Sequence, residues 1–231
     1  MLRNTLINWI FRNGGGPSFS QCGEDRIIKF VLNSLGIKKP SYLDIGAHHP
    51  VRFSNTYLFY LNGCDGVCAE PNPRLAARFR RARPRDICLN VGVGAMRLES
   101  VPFYEMTTDT LSTFSEVEAK RYEREHGVKV AGVANVDICT PKDILDRHFL
   151  RPPNFVSLDV EGLELEILQS FDLSDERPII FCVETITYST DGTGKKMAEV
   201  ISHLKNSGYM VYADTYINTI FVDQNRWSRR R

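Results

Sequence analysis

From Ser20 onward, the chain alternates between two spacings of apolar residues. Short continuous apolar runs, such as residues 42–46 and 155–160, are typical of buried strands. Between these runs, apolar residues recur every three or four positions, as in residues 27–35, which is typical of helices with one buried face. Strands that alternate with helices in this way predict an α/β fold around a mostly parallel sheet.

The pattern predicts seven strands, of which the last two are joined by a short polar turn. The strands are expected at residues 42–46, 66–69, 87–91, 155–160, 179–183, 209–213 and 219–222. Helices are expected between them at residues 54–61, 73–83, 162–171 and 195–206. Parallel strands need a long crossover connection, so the close final pair should be an antiparallel hairpin. The predicted fold class is α/β, with a Rossmann-like, doubly wound seven-stranded sheet that is mostly parallel and ends in a C-terminal antiparallel hairpin.

A length of 231 residues suits one hydrophobic core with extra segments. Residues 1–17 read as an N-terminal extension that could form a short helix, and residues 18–231 read as the α/β domain. The alternation breaks at about residues 97–135, where a strand near residues 101–104 precedes a polar loop and a charged helix. We expect this stretch to be an insertion that lies over the sheet.

The charge balance limits the classes of partner. Lysine plus arginine (29) nearly cancels aspartate plus glutamate (28), so no overall field attracts nucleic acid, and a small or neutral substrate is expected. No apolar run is long enough to be a signal sequence or a membrane span, and the six cysteines show neither a disulfide framework nor a zinc spacing. These features predict a cytoplasmic protein without a transmembrane segment.

Polar residues and a glycine stand where the first three predicted strands end. In an open α/β sheet, ligands bind outside the carboxyl ends of the strands. Asp44 and Gly46 close the first strand, and Glu70 closes the second strand, 26 residues after Asp44. Asp44 could orient a cationic amino acid group, Gly46 lets a ligand approach the backbone, and Glu70 could accept both hydroxyls of a ribose. Asn90, at the end of the third strand, would lie near an adenine.

Each of these residues has a structural alternative. Asp44 could be a turn or cap residue, and a single glycine in a strand-to-helix turn is weak evidence of a ligand. Together, Asp44, Gly46 and Glu70 favour a cofactor that contains a nucleoside. The chain lacks a G-x-G-x-x-G run, which weakens the case for a nicotinamide cofactor.

Three carboxylates, those of Asp159, Glu161 and Glu184, follow the fourth and fifth predicted strands and should converge on the same edge. One of them could remove a proton from a hydroxyl group. Alternatively, Asp159 and Glu184 could hold a Mg²⁺ ion that binds two oxygens of a substrate. Glu161 could instead stabilise the start of the following helix. The residues alone leave these alternatives open.

Two histidines, His48 and His49, follow the first strand directly. A neutral imidazole at this position could be the general base for an alcohol near pH 7. The alternative is that both side chains only shape the turn before Pro50.

Four short segments, by their order and spacing, resemble the FkbM family of methyltransferases over residues 18–222. They are Ser20-Gln21-Cys22-Gly23-Glu24-Asp25, the stretch 42–56 with Asp-Ile-Gly-Ala-His-His-Pro and Ser-Asn-Thr, Glu70-Pro71-Asn72-Pro73, and Asp159-Val160-Glu161-Gly162. The resemblance implies a class I methyltransferase that uses S-adenosylmethionine and commonly O-methylates sugars or polyketide-type natural products. It also makes residues 18–231 the methyltransferase domain.

The resemblance further implies which residues bind the cofactor. They are Gln21, Asp25, Asp44, Gly46, Ala47, His48, Asn55, Glu70, Pro71, Asn90, Val91 and Asp159. Gln21, Glu24 and Asp25 would cover the site from the first helix, and their alternative role is local capping of that helix. For catalysis, we expect Asp159, with Glu161 or Glu184, to orient or deprotonate the acceptor, and His49 is a further candidate base.

We therefore predict an O-methyltransferase that acts on a hydroxyl of a sugar or glycan, with S-adenosylmethionine as cofactor and Mg²⁺ as a possible second one. The partner would be a small-molecule or glycan substrate, and the protein could be a homodimer. A non-catalytic S-adenosylmethionine-binding or assembly module stays open as an alternative. An NAD-dependent oxidoreductase is a second alternative, which the terminal hairpin and the missing glycine motif count against.

Overall fold

The computed structural model describes residues 16–160, 162–174, 176–187 and 194–230. Most of the N-terminal extension expected at residues 1–17, including its short helix, therefore lies outside the described residues. The strands are β1 (Tyr42–Ile45), β2 (Gly66–Ala69), β3 (Ile87–Leu89), β4 (Gly92–Val93), β5 (Leu98–Met106), β6 (Val130–Cys139), β7 (Phe155–Leu158), β8 (Ile180–Glu184), β9 (Tyr209–Asp214) and β10 (Asn218–Asp223).

Seven of these strands form the main sheet, in the order β3-β2-β1-β7-β8-β10-β9. The five strands from β3 to β8 are mutually parallel, whereas β10 runs antiparallel to both of its neighbours, β8 and β9. The predicted fold class is confirmed, including the antiparallel hairpin that β9 and β10 form at one edge of the sheet. The strand order reverses between β1 and β7, which is where an open α/β sheet binds its ligands.

Helices cover both faces of the main sheet. The α-helices of the described residues are α1 (Glu24–Ser34), α2 (Tyr57–Leu61), α3 (Pro73–Ala82), α4 (Glu116–His126), α5 (Pro141–His148), α6 (Glu164–Gln169), α7 (Ala198–Asn206) and α8 (Gln224–Ser228). Apolar residues of α1, α2 and α3 pack on one face, and those of α5, α6 and α7 pack on the other. Side chains alternate along each strand, so that Leu43 and Ile45 join one core cluster while Tyr42 joins the opposite one.

The stretch expected as an insertion contains part of a second sheet, with strand order β4-β6-β5. The charged helix predicted there is α4, which packs through Ala119 and Tyr122 on Met106 and Leu111. Strand β6 was not predicted. Its residues alternate between partly buried and exposed, and its polar positions, such as Asp137, mask the strand pattern. The salt bridge between Arg97 and Asp143 ties this sheet to α5.

Several predicted boundaries were too wide. The helices expected at residues 54–61, 162–171 and 195–206 are α2, α6 and α7, which begin later. For α2 the reason is a local turn, because the Ser54 hydroxyl accepts hydrogen bonds from the backbone N–H groups of Thr56 and Tyr57. The strand expected at residues 87–91 ends at Leu89, and the chain then passes to the second sheet.

No helix within the described residues has both the length and the apolar character that crossing a bilayer requires. All six cysteines are free thiols.

Candidate functional site

The carboxyl ends of four parallel strands bring the predicted polar residues to one edge of the main sheet. Asp44 pairs in register with Ser157 of β7 and with Cys68 of β2. Glu70 and Asp159 follow the ends of β2 and β7 directly, and Glu184 is the last residue of β8. The structure therefore gathers Asp44, Glu70, Asp159 and Glu184 at the reversal point of the strand order.

Gly46 is the residue that lets β1 turn at this edge. Its φ of 76° lies in the left-handed region, and a Cβ at this position would lie 1.7 Å from the carbonyl oxygen of Asp159. The backbone N–H groups of Gly46 and Ala47 both donate to the carbonyl oxygen of Ala69, at 3.1 and 3.2 Å. Glycine is needed here because neighbouring backbone occupies the space of a side chain.

Glu70 is a buried carboxylate held by two backbone donors. Its Oε2 accepts a hydrogen bond from His48 N at 2.7 Å, and its Oε1 accepts one from Asn72 N at 2.8 Å. Burial raises the pKa of Glu70 to about 8, although these two hydrogen bonds oppose the shift. In its ionised form each oxygen keeps a lone pair, so the carboxylate can then accept two hydroxyl groups of one ligand.

His48 stands next to Glu70 in a left-handed backbone conformation, with φ of 49°. Its Nε2 is buried and has no hydrogen-bond partner among the described residues. Burial lowers the pKa of His48, so the imidazole is neutral at pH 7. A buried polar atom without a partner is costly, and a ligand that hydrogen-bonds to it would remove that cost.

Asn90 fixes the loop that carries Glu70. Its Nδ2 donates to the carbonyl oxygens of Glu70 at 2.9 Å and of Pro71 at 2.7 Å. Val91, the next residue, packs against the core beneath the site. Asn90 and Pro71 thus lie beside Glu70, and the amide group of Asn90 has a positioning role that the sequence did not predict.

Asp44 lies deeper and is surrounded by polar side chains. The Thr56 hydroxyl donates to Asp44 Oδ2 at 2.5 Å, and Ser157 also hydrogen-bonds to this carboxylate. Asn55 donates to the Ser157 hydroxyl at 3.1 Å, so Asn55 reaches Asp44 only through Ser157. Burial raises the pKa of Asp44, and the positive charge of Arg83 opposes this shift.

Sequence reasoning missed Arg83, which is fully buried behind Asp44. Its Nε donates to Asp86 at 2.6 Å, and its Nη2 donates to the hydroxyls of Tyr42 at 3.1 Å and Thr56 at 3.0 Å. Its Nη1 reaches Pro50 O at 3.4 Å. Arg83 thereby links the loop after β1 to the segment before β3.

Asp159 and Glu184 form a pair of carboxyl groups at the ends of β7 and β8. The two side chains lie within hydrogen-bond reach of each other, and two carboxyl groups can form such a bond only when one of them is protonated. Burial and the charge of Glu164 raise the pKa of Asp159. Glu164 accepts hydrogen bonds from the backbone N–H groups of Val160 and Gly162, so it fixes the turn after β7. Glu161, the other predicted carboxylate, lies outside the described residues.

Across the described ranges, no group of three or more His, Cys, Asp or Glu side chains is arranged to hold a metal ion. Asp159 and Glu184 are two carboxylates, one fewer than such a group needs.

His49 differs from the expectation of a general base. Its Nδ1 accepts hydrogen bonds from the backbone N–H groups of Val51 at 3.1 Å and Arg52 at 3.0 Å. A neutral imidazole bonded in this way carries its proton on Nε2, so that atom donates rather than accepts. This arrangement favours the alternative in which His49 shapes the turn.

A carboxylate in the first turn of α1 holds the segment that precedes this helix. Asp25 is fully buried and accepts hydrogen bonds from Ser18 Oγ at 2.7 Å and Phe19 N at 2.8 Å. Gln21 is exposed, and its Oε1 lies 3.5 Å from Asn218 Nδ2, which donates to it. For Asp25 the geometry favours the capping alternative, because its oxygens bind the segment before the helix.

Comparison with protein-family models gives a match to the methyltransferase FkbM domain over residues 44–211. No curated protein matches the chain. Three solved structures are similar to it. A precorrin-6y C5,15-methyltransferase from Geobacter metallireducens is 12% identical, with 85% of this chain and 86% of that chain covered and a TM-score of 0.42.

The second is a TehB-like SAM-dependent methyltransferase from Corynebacterium glutamicum, which is 9% identical over 96% of this chain and 97% of that chain, with a TM-score of 0.45. The third is the 1,6-didemethyltoxoflavin-N1-methyltransferase from Burkholderia thailandensis with bound S-adenosylhomocysteine, at 11% identity over 96% of this chain and 87% of that chain, with a TM-score of 0.42. Similarity at this level does not extend to the substrate.

Proposed function

This chain belongs to the FkbM family of methyltransferases, and we propose that it is an O-methyltransferase that uses S-adenosylmethionine to methylate a hydroxyl group of a sugar or glycan. The observation that carries the proposal is the placement of Glu70. It is a buried carboxylate with an acceptor position left on each oxygen, beside the Gly46 turn at the reversal point of the sheet.

The residues around this turn fit S-adenosylmethionine. Glu70 accepts the two ribose hydroxyls, and the buried Nε2 of His48 provides one further polar contact. Asp44, which Thr56 and Arg83 hold in place, stabilises the positive charge of the amino acid portion. Asn90 and Pro71 border the adenine position. When bound, the cofactor supplies a methyl group on a positively charged sulfur.

The Asp159 and Glu184 pair receives the proton of the acceptor. With a hydrogen bond between its two side chains, the pair carries one proton and one negative charge. The acceptor hydroxyl would donate a hydrogen bond to the charged oxygen, and the pair would take its proton as the hydroxyl oxygen displaces the methyl group from the sulfur, which keeps the electron pair of the broken bond. Burial makes the carboxylate of Asp159 a stronger base than a carboxylate in water. Alignment of the two reacting atoms supplies much of the acceleration.

A Mg²⁺ ion at Asp159 and Glu184 is an alternative way to bind the acceptor oxygen. The two proposals differ in a simple assay, in which methyl transfer is measured with EDTA and with added Mg²⁺. Transfer that is insensitive to EDTA supports the proton-accepting pair, whereas full dependence on Mg²⁺ supports the ion.

The test of the proposal is isothermal titration of the purified protein with S-adenosylhomocysteine and, in parallel, with NAD. We expect micromolar binding of S-adenosylhomocysteine, its loss in Glu70→Ala, and no binding of NAD. Glu99→Ala is the control, because Glu99 is an exposed glutamate on β5. Binding of NAD alone, or of neither ligand, would refute the proposed cofactor.

Catalysis needs a separate variant. The double variant Asp159→Asn/Glu184→Gln removes the negative charge of the pair while it keeps the shape of both side chains. We expect it to bind S-adenosylhomocysteine as the wild type does and to lose methyl transfer. Wild-type binding of cofactor and sugar without any transfer would instead favour the non-catalytic module. The cytoplasmic location and the homodimer stay predictions.

A further inference from the structure

We propose that Phe53 and Tyr216 form the platform on which a sugar ring of the acceptor stacks. This inference rests on the proposed function, because it assigns the acceptor subsite of the same site. The two aromatic residues lie in two turns at the carboxyl edge of the main sheet, and the segment of residues 18–25 connects those turns. We call these three parts together the acceptor rim.

Phe53 combines a strained backbone with an exposed ring. Its φ is 58°, in the left-handed region, and its side chain is 64% exposed. For a bulky residue this conformation is unfavourable, and strain of this kind persists at sites where surrounding structure enforces it. Burial of the ring cannot be what the strain supports, because the ring points to solvent.

The turn that carries Phe53 is held on both sides. The His49 imidazole accepts from Val51 N and Arg52 N before it. After it, Ser54 N donates to Phe19 O at 2.9 Å, and Arg83 donates to the Ser54 hydroxyl at 3.3 Å. Several hydrogen bonds therefore stabilise a turn conformation that leaves the aromatic ring of Phe53 exposed.

Tyr216 repeats this combination in the turn between β9 and β10. Its φ is 76° and its side chain is 55% exposed. Tyr216 N donates to Asp214 Oδ1 at 2.8 Å, and Lys196 forms a salt bridge with the same carboxylate at 2.7 Å. Thr215 N donates to Asn218 O at 2.9 Å, which closes the turn.

Residues 18–25 connect the two turns, and the Tyr216 turn lies next to the strand that ends at Glu184. Phe19 binds the Phe53 turn through Ser54 N, and Glu24 accepts from the Thr215 hydroxyl at 2.6 Å. Asn218 pairs in register with Glu184, so the Tyr216 turn adjoins the end of β8. The acceptor rim is thus joined to the end of β8, whose last residue, Glu184, is one carboxylate of the pair.

The chemistry of this rim suits a carbohydrate. A pyranose ring has an apolar face of C–H groups and a perimeter of hydroxyls. Aromatic rings bury that apolar face, and polar groups at the edge of the site bind the hydroxyls. Two exposed aromatic rings beside carboxylates at the mouth of a site match both requirements.

The experiment measures sugar binding apart from methyl transfer. The probes are the methyl pyranosides of glucose, galactose, mannose, rhamnose and fucose, each added to protein saturated with S-adenosylhomocysteine and observed by saturation-transfer-difference NMR. We expect at least one pyranoside to bind the wild type. Phe53→Ala and Tyr216→Ala should each weaken that binding about tenfold and leave the affinity for S-adenosylhomocysteine within about twofold.

Phe30→Ala is the matched control. Phe30 is 60% exposed, close to the value for Phe53, but it lies on α1 outside the acceptor rim. Removal of the Phe30 ring should not change sugar binding. The inference is overturned if no pyranoside binds, or if the rim variants bind as tightly as Phe30→Ala. Failure of the proposed function would give a different result, because the wild type would then not bind S-adenosylhomocysteine.

Glycine variants separate a ligand-binding role from a structural one. Phe53→Gly and Tyr216→Gly relieve the backbone strain, so we expect each to raise the melting temperature by about 2–4 °C while sugar binding weakens as much as in the alanine variants. Alanine at the same positions keeps the strain. Glycine variants that lower the melting temperature would show that the rings support the fold, and would also overturn the inference.

Discussion

Glu70 links cofactor affinity to pH. Its pKa is raised to about 8, so at pH 7 most of the free protein carries this group protonated. Ribose hydroxyls donate to the ionised form, which means that binding must release a proton below pH 8. We therefore expect the affinity for S-adenosylhomocysteine to rise with pH from 6 to 8 and to level off above 8.

Titration calorimetry at pH 7 in two buffers of different ionisation enthalpy measures this proton release. We expect close to one proton per ligand in the wild type and none in Glu70→Gln, in which the group cannot ionise. Equal affinity at pH 6 and pH 9 would contradict the assignment of the raised pKa to ligand binding.

Gly46 provides a second prediction at the scale of one residue. Gly46→Ala forces a Cβ to within 1.7 Å of Asp159 O, so backbone must move, and we expect a loss of about 3 kcal/mol or more in the free energy of unfolding. Gly36→Ala is the control. Gly36 has nearly the same φ, 75°, but open space around it, so only the cost of the left-handed conformation, about 1 kcal/mol, remains.

Urea unfolding measures both variants. A similar loss for Gly46→Ala and Gly36→Ala would mean that the close approach of Asp159 has no energetic importance.

The sequence was sufficient to place Asp44, Glu70 and Asp159 at one edge, because the carboxyl ends of neighbouring parallel strands always meet. It was not sufficient to assign their hydrogen bonds. The proton on His49 depends on the turn of residues 50–53, and the environment of Asp44 depends on Arg83, which follows it by 39 residues. Contacts between residues so far apart leave no pattern in the local sequence.

Arg83 directly follows α3, and its hydrogen bonds fix the end of this helix to the main sheet. Arg83→Met leaves Asp86 as a buried charge without its partner, and we expect it to lower the free energy of unfolding by about 3–5 kcal/mol. The double variant Arg83→Met/Asp86→Asn should recover part of this loss. The amide oxygen can still accept from Tyr42 and Gly66 N, which donate to Asp86 in the wild type.

Chemical unfolding of the wild type, both single variants and the double variant gives the coupling between the two residues. A double variant whose loss equals the sum of the single losses would show that the pair does not act as a unit.

Elements were predicted well where one periodicity dominates and poorly where two compete. The buried strands β1, β7 and β8 are continuous apolar runs, and each was found. Strand β6 is exposed on one side and mostly only partly buried on the other. It also contains Gly132 and Asn135, so its sequence resembles that of a polar loop. Arg83 was expected only as the last residue of the helix at residues 73–83, because composition does not reveal that its side chain turns inward.

At the scale of the whole molecule, the antiparallel hairpin followed from chain order, since a short final connection does not allow a parallel pair. The second sheet did not follow, because its strands pair across a long separation in sequence, as Leu98 does with Ile138. It is attached to the main domain through Val93 of β4 and Cys139 of β6, which pack in the core cluster of the main sheet, and through two salt bridges, Arg97 with Asp143 and Arg74 with Glu105, which contribute little individually.

That architecture leads to a prediction about cooperativity. The proposed cofactor site joins the ends of β1, β2 and β7, and Glu24 ties α1 to the hairpin beside it. A ligand at this site should therefore stabilise the main domain as one unit. S-adenosylhomocysteine at 100 times its Kd contributes about 2.7 kcal/mol, which corresponds to a rise of about 5–10 °C in Tm for a chain of this size.

Differential scanning calorimetry tests this expectation with and without the ligand, and with NAD or Glu70→Ala as controls that should show no rise. The second sheet is the informative part, because its salt bridges to the main domain are exposed on the arginine side. If it is stabilised mainly by packing on the main domain, a single transition will move as a whole. If instead a transition appears that the ligand does not shift, the second sheet unfolds independently, and a single cooperative domain is the wrong description.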